Sequence, residues 1–437
     1  MITQATRSRV WTTLAAMLVV TSCFATNAKD PKTIVAQVVD AMVGEDFDAV
    51  VDTFDDNMKS KLPSAQLKAA WKQVQGAVGD YSKTSPPKEI AKGTFESTVS
   101  FSRLALIVRV SVDSNDKVAG LFMRPAPLPK PKVDSKPTNE FERDLTFEIN
   151  GVSIHGTLLL PTTKRETMPL AVLHAGSGPT DRDGNQPLLP NDSLKKLAEE
   201  LTEKGIATFR YDKRGSGETG IAGAESDLKL QTYADDLTGV VAKLKSLSDV
   251  SFETITLVGH SEGAQICMLS TKKADVDRVV TVAGSGRNFK ELLESQLKGK
   301  LPPDLTKTSN EILEELASGR LVDNVPESLQ MLFRPSVQPF LISCIESDPE
   351  DLAASLKVPM LIVQGDKDIQ VGVEDAQRLL KAQPKAELQV FEGMNHVLRI
   401  VTNDDEQQAS YRDPKLDLAP GLSKRIAAFI EPNPQDD

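Results

Sequence analysis

The sequence predicts an α/β architecture: a mostly parallel eight-stranded sheet with helices on both faces, preceded by a smaller α+β domain. Three observations predict it. From residue 141 onward, short apolar runs of strand length alternate with amphipathic segments of helical period. The first two of these runs flank Asn150-Gly151, a strong hairpin signal. Between 126 and 140, Pro127, Pro129, Pro131 and Pro137 stand among lysines with no apolar period, as expected of an extended, semi-rigid spacer between two folded units.

The chain has 437 residues, more than one average domain. Hydrophobic residues at 40% and charged residues at 26% are ordinary for a globular protein, so a sizeable core can be buried. Acidic residues outnumber basic ones by 62 to 51, and the net charge of −11 argues against nucleic-acid binding and against docking on an anionic membrane face. The three cysteines, Cys23, Cys267 and Cys344, are too few for a disulfide framework, and their spacing fits no metal site.

Residues 1–28 read as a secretory signal peptide. Arg7 and Arg9 make a basic start, an apolar run over 11–20 is too short to span a bilayer, and small residues up to Ala25 and Ala28 follow. Val20-Thr21-Ser22-Cys23 also resembles a bacterial lipoprotein signal, with valine where leucine is usual, so two readings stand: cleavage near Ala25 or Ala28, or a lipid anchor at Cys23. Either implies an exported chain, periplasmic or extracellular.

The first folded domain is expected over 30–125. Ile34, Val35, Val38, Val39 and Met42 recur at helical spacing. Phe47, Val50, Val51 and Phe54 suggest a second helix, and Leu67, Ala70, Trp71 and Val74 a third. The period then changes, and 95–102, 104–112 and 118–123 read as strands. This domain holds no histidine and no nucleophile motif, so binding or dimerisation is a better role for it than catalysis.

The second domain is expected over 141–432. Its strands fall at 145–149, 154–160, 170–174, 206–211, 255–258, 279–283, 360–364 and 387–391. Between the sixth and seventh lies a helical insertion, about 286–350, placed to form a cap over the carboxyl edge of the sheet.

Gly259-His260-Ser261-Glu262-Gly263 is the only G-x-S-x-G in the chain. It follows the strand 255–258 and precedes a helical run. That context is what the motif's chemistry needs: the serine sits on a strained strand-to-helix turn, and flanking glycines let the backbone close tightly. A serine hydroxyl is a weak nucleophile until a base takes its proton. Of the four histidines, His260 adjoins the serine and points elsewhere on the turn, His155 lies in the hairpin, and His174 ends a strand. His396 follows the last strand in a loop and is the natural base. A carboxylate must fix its tautomer. Asp368 is the preferred candidate, with Asp366 two residues earlier as the alternative. For the oxyanion the backbone N–H groups of Gly176 or Ser177, after the third strand, and of Glu262, after the nucleophile, are the donors. The charges of the adjoining 180–185 segment are expected to hold that loop by Arg–Asp pairing, and Arg334 in the cap to form a structural salt bridge.

These residues resemble a known family. From about 141 to 432 the chain is similar to bacterial α/β-hydrolases grouped with serine aminopeptidase-like and carboxylesterase enzymes. The likeness rests on the 176–185 and 210–217 runs, the 259–263 elbow and Asn395-His396. It implies the α/β-hydrolase fold and ester hydrolysis, of short acyl chains, by a Ser-His-Asp triad without metal or organic cofactor. Ala175 departs from the His-Gly that many hydrolases carry there, which leaves the donor between Gly176 and Ser177 open. The first domain resembles the small module of unknown function that often precedes such hydrolases, and more weakly the cone of nuclear-transport-factor-2-like proteins. Two rival readings are a small aminopeptidase on the same triad, which needs a carboxylate for the free amine, and a cell-surface binding protein with a vestigial hydrolase domain.

Overall fold

The computed structural model describes residues 30–102, 105–126, 141–163, 165–187 and 189–431. The leader over 1–28 with Cys23, and the spacer beyond Ala126, lie outside the described residues. The chain divides after Ala126 into two compact units.

In the first unit, helices Pro31–Val43, Phe47–Asp52, Asp56–Lys61 and Ser64–Val78 precede strands β1 (Tyr81–Thr84), β2 (Lys88–Ala91), β3 (Thr94–Phe101), β4 (Ala105–Val112) and β5 (Val118–Pro125). The sheet is antiparallel, in the order β1-β3-β4-β5 with β2 also on β3. Alternate residues of β3 and β4 are buried, and Val38, Val39, Trp71, Val99 and Val108 are part of this unit's core. Strands β1 and β2 and the helix Asp56–Lys61 are additions to the sequence expectation. None has a fully buried residue, so none carries the apolar alternation from which an element can be read.

The second unit has the predicted eight-stranded sheet: β6 (Glu142–Ile149), β7 (Val152–Leu159), β8 (Met168–His174), β9 (Ala207–Tyr211), β10 (Phe252–His260), β11 (Arg278–Val282), β12 (Met360–Gly365) and β13 (Glu387–Phe391). Their order is β13-β12-β11-β10-β8-β9-β7-β6, and only β7 runs against the others. Every residue of β8 and β12 is buried, as expected of strands covered on both faces. Along β8, Leu170 and Val172 join the core under helices Leu230–Lys245 and Glu262–Ser270, while Ala171 and Leu173 join the core under Ser193–Glu203 and Leu422–Ile430. Between β11 and β12 the helices Phe289–Leu297, Pro303–Ala317, Gln330–Phe333 and Gln338–Glu346 enclose an apolar centre of their own around Leu313, Leu316 and Phe333, while Pro349–Ser355 packs Leu352 and Ala353 into the core of the sheet. Arg334 pairs with Glu225 and so ties this insertion to the loop after β9.

Strands β8, β10, β12 and β13 are parallel, so the segments after them emerge at one edge of the sheet. Crevices at such an edge are where open α/β sheets hold ligands.

Candidate active site

Strand β10 leads straight into the helix Glu262–Ser270 through Ser261, whose φ of 55° and ψ of −123° are unusual for a residue with a side chain. Such a conformation costs on the order of 1–3 kcal/mol and persists only where its surroundings impose it. Here the Ser261 N–H donates to Val282 O at 2.9 Å, and Ser261 O accepts from Ala264 N at 2.9 Å. The helix start also presses on the neighbouring strand: a Cβ on Gly263 would lie 2.4 Å from His174 O, and one on Gly259 would lie 2.2 Å from Gly263 O. This close approach brings the segment after β8 against the serine, where a Cβ on Gly176 would stand 3.0 Å from Ser261 Cβ.

His396 is buried in the loop after β13, and its Nδ1 lies 2.7 Å from Asp368 Oδ2. The other Asp368 oxygen accepts from the N–H groups of Gln370 at 2.8 Å and Val371 at 3.0 Å, while Gln364 Nε2 donates to Oδ2 at 3.2 Å. Burial pushes the Asp368 carboxyl up, but its attraction to His396 when that ring is protonated, and the hydrogen bonds from His396, Val371 and Gln370, outweigh it and hold the carboxyl below its ordinary value. An ionised Asp368 only accepts, so Nδ1 of His396 carries the proton and Nε2 is free to act as a base. Asp366 does not share this contact; its carboxylate accepts from Gly393 N at 2.7 Å and anchors the loop that carries His396. Asn395 clamps the same loop. Its Oδ1 accepts from Arg399 N at 3.0 Å, and its Nδ2 donates to Ser410 Oγ at 2.7 Å.

The other histidines are placed otherwise. His155 sits on β7, its Nδ1 3.1 Å from Thr146 Oγ1. His174 is fully buried beside Tyr211, and neither ring nitrogen meets a partner among the described residues. Burial, with Lys213 nearby, pushes its pKa down to about 3, so it is neutral and unsuited to proton transfer at neutral pH. His260 does not point away from the site: its ring packs on that of His396.

For the oxyanion, Glu262 begins its helix, where amide groups lack intrahelical acceptors. Among the described residues, the amides of Gly176 and Ser177 donate to no backbone carbonyl. Ser177 O is held by Thr180 Oγ1 at 2.7 Å and Gln186 Nε2 at 3.1 Å. The Glu262 carboxylate, which sequence reasoning did not weigh, lies 3.7 Å from Lys213 Nζ, and both side chains are under 10% exposed. Lys213 also sits 5.7 Å from the Tyr233 ring centroid. Burial pushes the lysine down and the glutamate up, and their mutual attraction opposes both shifts. Lys213→Met is therefore expected to destabilise the second unit by about 3 kcal/mol, because Glu262 is left buried without its partner. Urea unfolding checks this, and adding Glu262→Gln should recover much of the loss.

The loop after β8 and the loop after β9 lock together. Arg182 donates to Asp212 at 2.7 Å and to Glu218 at 2.6 Å, and Arg210 Nε donates to Asp183 at 2.6 Å. Arg–Asp pairing thus holds the 180–185 segment, but through partners outside it. Asp181 Oδ1 accepts from Asn185 N at 2.8 Å and Asp183 N at 3.0 Å. Burial first, then repulsion from Asp183 and Asp212, pushes its pKa up to about 7. A carboxyl raised in the folded state binds its proton more tightly there than in the unfolded chain, so it lowers stability as pH rises from about 4 towards 7. Asp181→Asn keeps the acceptor oxygen. It is expected to raise the melting temperature at pH 8 and to change it little at pH 4, as thermal unfolding at the two pH values would show.

Among the described residues, no group of three or more His, Cys, Asp or Glu is placed to hold a metal ion, and no helix is long and apolar enough to cross a membrane.

Strained serine elbow, buried His–Asp pair and strand order together define a hydrolase of the α/β class. The chain belongs to the alpha/beta hydrolase family, which it matches over residues 172–409, more than half its length. Residues 35–121 match the family described as "Protein of unknown function (DUF3887)". Esterase EstD of Thermotoga maritima is 27% identical over 368 residues, covering 82% of this chain and 86% of that one. Non-heme chloroperoxidase CPO-A1 of Kitasatospora aureofaciens is 25% identical over 256 residues, covering 50% and 85%. Among solved structures, Est1E from Butyrivibrio proteoclasticus with ferulic acid has a TM-score of 0.43 at 18% identity, covering 65% of this chain and 96% of that one.

Proposed function

We propose that the chain is an exported serine esterase that cleaves carboxylic esters of short acyl chains through an acyl-enzyme. The observation that carries this reading is the His396–Asp368 hydrogen bond of 2.7 Å, set beside the strained Ser261 elbow by the packing of His396 on His260. Ser261 Oγ attacks the ester carbonyl while His396 Nε2 takes its proton. The carbonyl oxygen becomes an oxyanion held by the amides of Glu262 and of Gly176 or Ser177, each such donor worth about 3 kcal/mol in the transition state. The intermediate collapses, the C–O bond to the leaving group breaks, and His396 passes its proton to the departing alcohol. Water then attacks the acyl-enzyme with His396 again as base. The carboxylic acid leaves, and Ser261 regains its proton.

The aminopeptidase alternative needs a carboxylate for a free amine. Glu262 adjoins the nucleophile, but Lys213 already faces it at 3.7 Å, which favours the ester reading. The relative named an esterase supports the same choice. The test is an assay on p-nitrophenyl esters of increasing acyl length beside aminoacyl arylamides. Turnover of short esters, falling with length, is expected. Arylamide turnover without ester turnover would replace this reading with the peptidase, and inactivity on both with the binding protein.

Export rests on the leader-like 1–28 segment, and intact-mass analysis of the cell-surface fraction would separate cleavage near Ala25 or Ala28 from a lipidated Cys23. For the first unit the proposal is binding or self-association. Removing 30–125 should change the solution mass of the assembly, and unchanged mass and activity would remove both roles.

A further inference from the structure

His260 sits next to Ser261 in the chain, and its Nε2 lies 2.8 Å from the backbone carbonyl of His396, 136 residues away. A carbonyl oxygen only accepts, so Nε2 carries the hydrogen and His260 is the donor. The two rings also pack together, with centroids 4.9 Å apart and planes inclined by 51°. Both residues are buried. One side chain therefore connects the two halves of the reacting pair: by covalent continuity it moves with the serine, and by hydrogen bond it holds the loop of the base.

We infer that His260 is a positioning residue that sets the distance and angle between Ser261 and His396 by donating its Nε2 hydrogen to the His396 carbonyl. The inference rests on the reading of Ser261, Asp368 and His396 as the catalytic triad. The arrangement needs a hydrogen on Nε2. Burial, reinforced by the adjacent His396, pushes the pKa of His260 down to about 4, so it stays neutral where the enzyme would work. Asp366 and Asn395 hold the same loop through Gly393 N and Arg399 N, whereas the His260 contact starts from the elbow itself. A shift of about 1 Å in such a pair costs about 10²-fold in rate.

Two substitutions separate the hydrogen bond from the packing. His260→Phe keeps a ring against His396 and removes the donor. His260→Gln removes the ring and keeps an N–H near the Nε2 position. The expected result is a kcat lower by about 10²-fold in His260→Phe, with KM within threefold, and a loss of only about fivefold in His260→Gln. The His396 Nδ1 proton resonance should shift or broaden in the Phe form and stay in place in the Gln form. Equal losses in the two variants, or parental kcat in His260→Phe, would overturn the inference. Should His260→Phe fail to fold, nitrogen-15 spectra of the parent protein decide instead: a hydrogen on Nε2 from pH 5 to 9 supports the donor role, and a neutral Nδ1–H tautomer rejects it. Ser261→Ala and His396→Ala are run alongside. If they stay active, the triad reading fails and takes this inference with it. If they are inactive and His260→Phe is not impaired, only the role of His260 fails.

Discussion

Ser261→Ala is expected to lower kcat on short p-nitrophenyl esters by about 10⁴–10⁶-fold while leaving the fold intact. The size of the effect follows from the chemistry, since without Oγ no acyl-enzyme forms and only binding and the oxyanion donors remain to assist water. Stability should change little or rise. The serine side chain is partly exposed rather than a core residue, and alanine at a φ of 55° carries a backbone cost similar to that of serine. Circular dichroism and thermal unfolding of the variant separate lost chemistry from lost structure. A folded variant with parental turnover would show that the elbow serine is not the nucleophile and that hydrolysis takes place through another group.

Asp368→Asn is expected to cost about 10⁴-fold in kcat with a smaller effect on KM. The carboxylate accepts from His396 Nδ1 at 2.7 Å and from two backbone amides at 2.8 and 3.0 Å. An amide in its place presents at most one acceptor oxygen. If that oxygen stays with the backbone amides of Gln370 and Val371, the NH₂ group faces His396 and favours the tautomer with its hydrogen on Nε2. That tautomer cannot take a proton from serine. Asp366→Asn serves as the comparison: its oxygen accepts from Gly393 N and does not meet His396, so a loss of no more than about tenfold is expected. Comparable losses at the two positions would contradict the assignment of the acid.

Much of this was legible because it is local. A run of apolar residues, then Gly-x-Ser-x-Gly, then a helical period, describes strand, turn and helix within about twenty residues, and the buried strands of a parallel sheet announce themselves by continuous apolar runs. The weaker elements of the first unit were not legible, since Tyr81–Thr84, Lys88–Ala91 and Asp56–Lys61 bury no residue fully and are held by neighbours rather than by their own pattern. The contact between His260 and His396 was missed as well. Its one sequence signal was a second histidine beside the nucleophile, and adjacency in the chain says nothing about which way a side chain leaves a strained turn.

The sequence by itself determined the α/β class, the serine at a strand-to-helix turn, and a base and acids placed after late strands, because each depends on the order and period of nearby residues. Only the tertiary structure decided which partners meet: Asp368 rather than Asp366 on His396, Lys213 on Glu262, Arg182 on Asp212 and His260 on the loop of the base. Those pairings join distant segments that emerge at one edge of the sheet. The strand order brings them there, and that order follows from burying both faces of the whole sheet rather than from any short stretch of chain.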